Sequence, residues 1–404
     1  MVRLPFKLKS KEKSRNFLTI DIGSNSVKVF AFNVISEEQG SKAEIIGISK
    51  QDLLEDASRG GIIVNPEEVS RAVETAIAEV VNGGPSITDV IFGVSGTLSL
   101  GLMTTVRVVR GKEGVITEKE LDSAYERIFT EAYNQAQNKF LEVTGDSELD
   151  FQMITSSTVY AKLDNKLVDE LVGEEGQTLE VAVFTAFTPS YHLDLLQSMA
   201  KDLKLNIQAI SSNMYALTKS LGYSKGKDFD GVIMDVGGEL TDVGTVFRGG
   251  IVTTRSLDLG GDHFTRTLSK GMDLSLVDAA NKKLEYSYGR LHDSDGLLIK
   301  GHMDNLLDVW LSGIELLFRD FEGVKTFAPN IYMVGGGAEL TDIYEVASKE
   351  PWTRSIPFKT PPEFSKLTIE DLSLIIDKTG KAHAMEDVIP ASLSIVYLEL
   401  KDLI

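Results

Sequence analysis

Gly231-Val232-Ile233-Met234-Asp235-Val236-Gly237-Gly238-Glu239-Leu240-Thr241-Asp242 decides how the rest of the chain reads. An apolar run meets an aspartate and a glycine pair. A polar turn follows, and a second apolar run from Val243 to Phe247 leads away. The pattern predicts strand, tight turn, strand, with one carboxylate at the tip. Glycines there let backbone N–H groups approach a ligand that a side chain would block. N–H groups beside an aspartate able to hold hydrated Mg²⁺ make a phosphate site. Taken alone, the stretch also reads as a plain hairpin.

A second copy shifts the balance. Phe17 to Ile22 is a short apolar strand, Ser24-Asn25-Ser26 a turn, Val27 to Val34 a returning strand and Ala43 to Ile48 a third. Asp21-Ile22-Gly23 thus matches Asp235-Val236-Gly237, about one domain length apart. The second copy continues alike, because Gly249-Gly250 turns into Ile251 to Ser256. Farther on, Ile331 to Val334 runs into Gly335-Gly336-Gly337, a glycine loop at a helix start. A flat base or ribose can lie on such backbone, and its N–H groups favour anionic oxygen. The loop is not Gly-x-Gly-x-x-Gly, which disfavours a dinucleotide fold; as a bare pattern it is also a plain strand-to-helix turn.

Composition sets bounds around these motifs. The 404 residues, 42% of them hydrophobic, suffice for two domains with their own cores. The formal net charge of −19 argues against broad nucleic-acid binding. With no cysteine, disulfides, thiolate zinc sites and thiol nucleophiles are excluded. The five histidines show no metal spacing and read as structural or exposed. No run approaches the ~18 apolar residues of a spanning helix, and the start lacks a signal-peptide core. Residues 1–15 go against the acidic total, with Arg3, Lys7, Lys9, Lys11, Lys13 and Arg15 against Glu12. They read as a basic tail, either solubilising or a weak anchor to anionic lipid.

Between the motifs, Asn65-Pro66-Glu67-Glu68 opens a helix. Residues 86–177 read as a small separate α+β unit with a helix over 118–141, and Leu179 to Thr188 as a strand rejoining the first domain. Helices are expected over 191–204 and 304–321, and a last one follows Pro390.

In order, Asp21-Ile22-Gly23-Ser24, Asp235-Val236-Gly237-Gly238 and Val334-Gly335-Gly336-Gly337 resemble the two phosphate loops and adenosine motif of the actin/Hsp70/sugar-kinase ATPase superfamily. Within it the chain resembles the FtsA cell-division family over nearly its whole length, with the PilM pilus-assembly family a near relative. Gly60-Gly61-Ile62, Gly93-Val94-Ser95-Gly96, Gly173 to Glu180 and Leu259-Gly260-Gly261-Asp262 carry the likeness between the loops.

The resemblance implies an α/β fold of duplicated actin-like (ribonuclease H-like) domains around a nucleotide cleft, with an inserted α+β subdomain called 1C. The implied order is a tail over 1–15, subdomain 1A over 16–85 and 178–212, 1C over 86–177, 2A over 213–270 and 325–384, helical 2B over 271–324, and a terminal helix over 385–404 returning to 1A. It implies ATP with Mg²⁺ held by Asp21 and Asp235, both also taken as the catalytic pair. Gly23, Ser24, Asn25, Gly237, Gly238 and Thr241 would face phosphate. Gly260, Gly261, Lys282, Glu285 and Gly335–Gly337 would line the nucleoside.

The implied function is a polymerising protein, at most a slow ATPase, that links the FtsZ ring to the divisome and membrane. The implied location is cytoplasmic, at the inner face of the membrane. The PilM alternative is a scaffold that binds ATP and a partner peptide; a small-molecule kinase is a third reading. Three departures stand out. Glu239 occupies a position where the family has a small residue. Lys282 and Glu285 exchange the family's signs. The chain stops at Ile404 without the family's amphipathic membrane helix, which leaves the basic N-terminus as the expected contact. Asp242 and Glu239 are candidates to orient water by position only.

Overall fold

The computed structural model describes residues 16–404 apart from 39, 85, 97–98, 112–113, 322 and 350, so the basic stretch 1–15 lies outside the described residues. The first half begins with three antiparallel strands, β1 (Asn16–Ile22), β2 (Ser26–Glu37) and β3 (Gly40–Asp52). A small hairpin follows, β4 (Ser58–Arg59) and β5 (Ile62–Ile63), then α1 (Pro66–Val81) and β6 (Asp89–Val94). Gly60 and Gly61 both take positive φ, 54° and 85°, as a two-residue hairpin loop demands. Helix α1 starts where predicted, its Asn65 side chain accepting the Glu68 N–H at 3.1 Å.

Four strands and a long helix come next: β7 (Leu100–Val109), α2 (Glu118–Thr144), β8 (Phe151–Leu163), β9 (Lys166–Val168) and β10 (Thr178–Pro189). The chain continues through α3 (Ser190–Asp202), β11 (Asn206–Ser212) and α4 (Asn213–Lys225). The second half holds β12 (Gly231–Val236), β13 (Thr241–Phe247), β14 (Gly250–Leu257), α5 (Gly261–Met272), α6 (Leu276–Ser287), α7 (Asp293–Arg319), β15 (Asn330–Val334), α8 (Thr341–Ala347) and β16 (Glu363–Lys366). It closes with β17 (Ile375–Asp377), α9 (Val388–Ser392) and α10 (Ser394–Leu400).

The two large sheets repeat one plan. The first runs β11-β6-β1-β2-β3-β17 and the second β14-β13-β12-β15-β16. In each, a three-strand meander is extended by two parallel strands beyond its first member. This is the actin-like duplication, and it puts the tips of β1 and β12 at the same place in each half.

Three boundaries differ from the sequence reading. Strand β6, expected in the insert, pairs in parallel with β1 and belongs to the first sheet. Strand β10, expected to rejoin the first half, lies inside the insert's sheet, ordered β7-β10-β8-β9. Its apolar run is buried on both faces, so its composition could not tell one sheet from the other. Strand β17, counted with the second half, pairs with β3 at the edge of the first sheet.

The insert is not a separate unit either. Helix α2 covers one face of its sheet, while Val159, Ala182, Phe184 and Ala186 from the insert enter the central core beside Ile251 of β14. That core also takes in α4, α9 and α10. Tyr397 of α10 stacks on Phe17 of β1 with centroids 3.9 Å apart, and Thr19 donates its hydroxyl to Pro390 O at 2.8 Å. The chain passes between the halves after α4 and again before β17. Beside these crossings the Ser373 N–H donates to Ser224 Oγ at 2.9 Å.

Candidate nucleotide cleft

The two tips are built alike and charged differently. In the β1–β2 register Asp21 lies opposite Lys28; in β12–β13 Asp235 lies opposite Asp242. Each turn closes on itself: the Gly23 N–H donates to Ser26 O at 3.0 Å and the Gly237 N–H to Leu240 O at 2.8 Å. Those two amides are therefore spent. The N–H groups of Ser24, Asn25, Gly238 and Glu239 make no hydrogen bond among the described residues and remain for a ligand. The start of α5 braces the second tip, with the Gly261 N–H donating to Gly237 O at 2.9 Å and the Asp262 N–H to Gly238 O at 2.7 Å. The glycine loop 335–337 lies against the same tip. Gly335 has φ of +91°, and a Cβ there would collide with Asp235. A Cβ on Gly337 would sit 2.7 Å from Gly237 O.

The electrostatics leave surplus negative charge. Asp21 is buried and accepts from Asn213 Nδ2 at 2.9 Å. Burial pushes Asp235 up to about 7, helped by repulsion from Asp242 and Asp21 and opposed by Lys28. Burial pushes Asp242 up to about 6 against hydrogen bonds from Ser256 and Gly96. Burial pulls Lys28 down, but Asp21, Glu386 and Asp235 outweigh it and hold the ammonium above the ordinary lysine value.

Several bonds cross from one half to the other. Asn25 donates its side-chain amide to Asp262. The Gly60 N–H donates to Glu239 Oε2 at 2.8 Å, and the Gly96 N–H to Asp242 Oδ2 at 3.0 Å. Leu240 packs against both of those glycines. After the chain has returned to the first half, the Gly335 N–H of the second half donates to Met385 O at 3.3 Å, and the neighbouring Glu386 takes Lys50 Nζ at 2.8 Å and Lys28 Nζ at 3.4 Å.

The anomaly of Glu239 is thereby explained. Its other oxygen takes Arg266 Nη2 at 2.9 Å, so the carboxylate ties α5 to the β4–β5 turn. Asp242 also accepts from the Ser256 hydroxyl. Both carboxylates are engaged, and neither is free to orient water. Thr241 is likewise engaged: its hydroxyl donates to Leu259 O at 2.7 Å and accepts the Trp310 indole N–H at 3.0 Å, so it has no proton to offer a phosphate. On α6, Glu285 is exposed, and it is Lys283 that reaches the glycine turn, donating to Gly261 O at 2.6 Å. Adjacent helical residues point about 100° apart, so Lys282 does not share that direction.

The residues that converge are thus Asp21, Ser24, Asn25, Gly238, Gly260, Gly261, Asp235 and Gly335–Gly337. Lys28, Asn213, Lys283, Lys50 and Glu386 join them without having been singled out from the sequence. Lys28 was within reach of sequence reasoning, since an antiparallel turn that closes between Gly23 and Ser26 sets it opposite Asp21. Asn213 and Glu386 arrive from 192 and 336 residues away from their partners and carry no local signal.

Asp21 and Asp235 suit a hydrated divalent cation. They repel one another across the cleft, a strain that a cation relieves. Among the described residues no three His, Cys, Asp or Glu side chains form a closed cage. Two carboxylates with water and ligand oxygens match the preference of Mg²⁺.

Comparison with known proteins agrees with this architecture. No protein-family model matches the sequence. Two curated cell division proteins FtsA are 23% identical to the chain. The one from Neisseria meningitidis aligns over 292 residues, 71% of this chain and 64% of that protein. The one from Streptococcus pneumoniae aligns over 273 residues, 67% and 55%. The chain therefore matches less than two thirds of the length of these relatives. Among solved structures, the PilM-PilN type IV pilus biogenesis complex superposes with a TM-score of 0.64 at 14% identity, covering 94% of this chain and 98% of that one. The likeness in structure is one of fold, and the fold is actin-like.

Proposed function

We propose that this chain, FtsA-like in sequence and actin-like in fold, binds magnesium ATP between its halves and uses it to set how they close. The observation that carries the reading is the pair of matched tips, Asp21 and Asp235, with Lys28 between them and unspent amides on both turns. Asp21 and Asp235 would hold the metal through water. The amides of Ser24, Asn25, Gly238 and Glu239 would cradle phosphate oxygens, with Lys28 opposite them. Gly335–Gly337 would lie under the nucleoside, with Gly260, Gly261 and Lys283 at its flank. Bound Mg²⁺ supplies charge neutralisation between phosphate oxygens. Asp242 and Glu239 are both committed elsewhere, so turnover is slow and occupancy acts as a switch.

In this reading the protein self-associates into filaments and links an FtsZ-type ring and other divisome proteins to the membrane. Helix α6 exposes Val277, Leu284 and Tyr288 along one face, a surface suited to an apolar tail peptide. Among the described residues no helix is long and apolar enough to cross a membrane. Attachment at the inner face of the cell membrane is assigned to residues 1–15, outside the described residues. A PilM-type scaffold that binds ATP and a partner peptide is the second reading, favoured by the fold likeness over 94% of the chain.

Sedimentation with ATP and Mg²⁺, with and without an FtsZ tail peptide, separates them. Nucleotide-dependent pelleting and peptide capture support the division role. Nucleotide binding without either favours the scaffold. Efficient phosphoryl transfer to a sugar would overturn both.

A further inference from the structure

Glu386 stands where the two halves meet, and the reading above gives it no task. It sits in a single 3₁₀ turn, Met385–Asp387, that is fastened to the glycine loop. The Gly335 N–H donates to Met385 O at 3.3 Å, and the Met385 N–H to Glu339 Oε1 at 2.8 Å. Its carboxylate reaches over exposed Gly336, whose Cβ would lie 3.4 Å from Oε2. From there it binds the two lysines that β2 and β3 of the first sheet send into the cleft. Lys50 lies within 3.0 Å of both oxygens and Lys28 lies 3.4 Å from one.

We propose that Glu386 is the residue by which the cleft distinguishes a nucleoside triphosphate carrying a divalent cation from the bare polyanion. The proposal rests on the nucleotide reading above. Lys28 lies opposite Asp21 at the first phosphate turn, Lys50 is its neighbour across β2 and β3, and Glu386 already answers both. Asp21, and Asp235 wherever it is ionised, add further negative charge beside Lys28. A free triphosphate therefore enters a field of like sign, and close like charges in a partly desolvated site disfavour binding. A metal-bound triphosphate brings two positive charges to the Asp21–Asp235 pair and leaves the lysines able to share their charge between Glu386 and phosphate. Asp242 and Glu239 cannot play this part, since both are already bonded on both oxygens, and neither they nor Asp262 bonds Lys28 or Lys50, as Glu386 does.

The test is equilibrium binding of a fluorescent ATP analogue to the full chain, in Mg²⁺ and in chelator. Wild type is expected to bind in Mg²⁺ and weakly in chelator. Glu386→Gln keeps the shape and removes the charge, and should bind about tenfold tighter than wild type in chelator, narrowing the ratio between conditions. Lys50→Ala leaves Glu386 less neutralised and should widen that ratio. Its side chain is 45% exposed, so this variant tests the proposal without touching the core. If Glu386→Gln lowers binding equally in both conditions, or leaves the ratio unchanged, Glu386 is only structural and the proposal fails. If wild type binds the analogue in neither condition, the nucleotide reading itself fails.

Discussion

Asp235 carries the most telling charge in the cleft. Its folded value near 7 lies above the ~4 of an unfolded aspartate. The native state therefore holds a proton that the unfolded chain has released, and stability falls as pH rises through that window, by at most about 1.4 kcal/mol per pH unit. Asp242, near 6, adds a slope of the same sign over a narrower pH window. Asp235→Asn should flatten the decline between about pH 5 and 7, as read by thermal melting across pH; a slope equal to wild type would place the titration elsewhere. Mg²⁺ should flatten the slope of the wild type too, because a cation beside the carboxylates replaces the proton. At this scale the sequence was readable where chemistry is local. Asp21, Asp235 and the glycines announce themselves by type and spacing. Glu239 does not, because its partners, the Gly60 N–H and Arg266, sit in other elements. Thr241 misleads for a related reason: it is the right kind of residue at a tip, yet its hydroxyl serves the burial of Trp310, whose indole N–H needs an acceptor inside the core.

Elements raise a different difficulty. The strands were legible by composition and their sheets were not. β10 and β6 are apolar enough to sit in either of two sheets, and only the pairing partners decide. Helix α7 begins at Asp293, well ahead of the predicted 304. Gly296 and Gly301 resemble breakers, and Leu297 and Leu298 are exposed, which hides the helical period that burial would create. The first-turn Asp293 and Asp295 favour an early start through the helix dipole. Gly335 shows how tightly two elements can be fitted. Gly335→Ala would demand a positive φ of a Cβ residue and press it on Asp235. The expected cost is at least about 2 kcal/mol, with loss of nucleotide binding. Differential scanning calorimetry reads the first effect, and an unchanged melting temperature would show that the loop shifts freely. Thr117→Ala should act differently, removing the capping box of α2 for about 1 kcal/mol while leaving nucleotide affinity untouched.

For the whole molecule the net charge of −19 is the leading fact. Copies of such a chain repel one another, and the repulsion is screened as the Debye length shrinks from ~30 Å at 0.01 M salt to ~8 Å at 0.15 M. Self-association should therefore increase over that range at fixed nucleotide, measured by analytical ultracentrifugation. A decrease would mean that specific ion pairs between copies dominate. The duplicated plan was visible from two short motifs because each half repeats its own local chemistry. The insert's union with the central core was not visible, since it depends on contacts such as Thr253 of β14 with Gly101 of β7, which no local pattern announces.

Among the described residues two lengths of backbone join the halves, and they touch where Ser224 meets Ser373. Two tethers that touch at one place would act as a pin, favouring rotation about it over sliding. A few degrees of rotation about that place would grow in proportion to distance from it, so parts of each half far from Ser224 and Ser373 would be displaced more than the crossings themselves. Any signal sent from the cleft is then best read at the periphery, where a partner senses it as an ångström-scale change in spacing and needs no contact with the nucleotide.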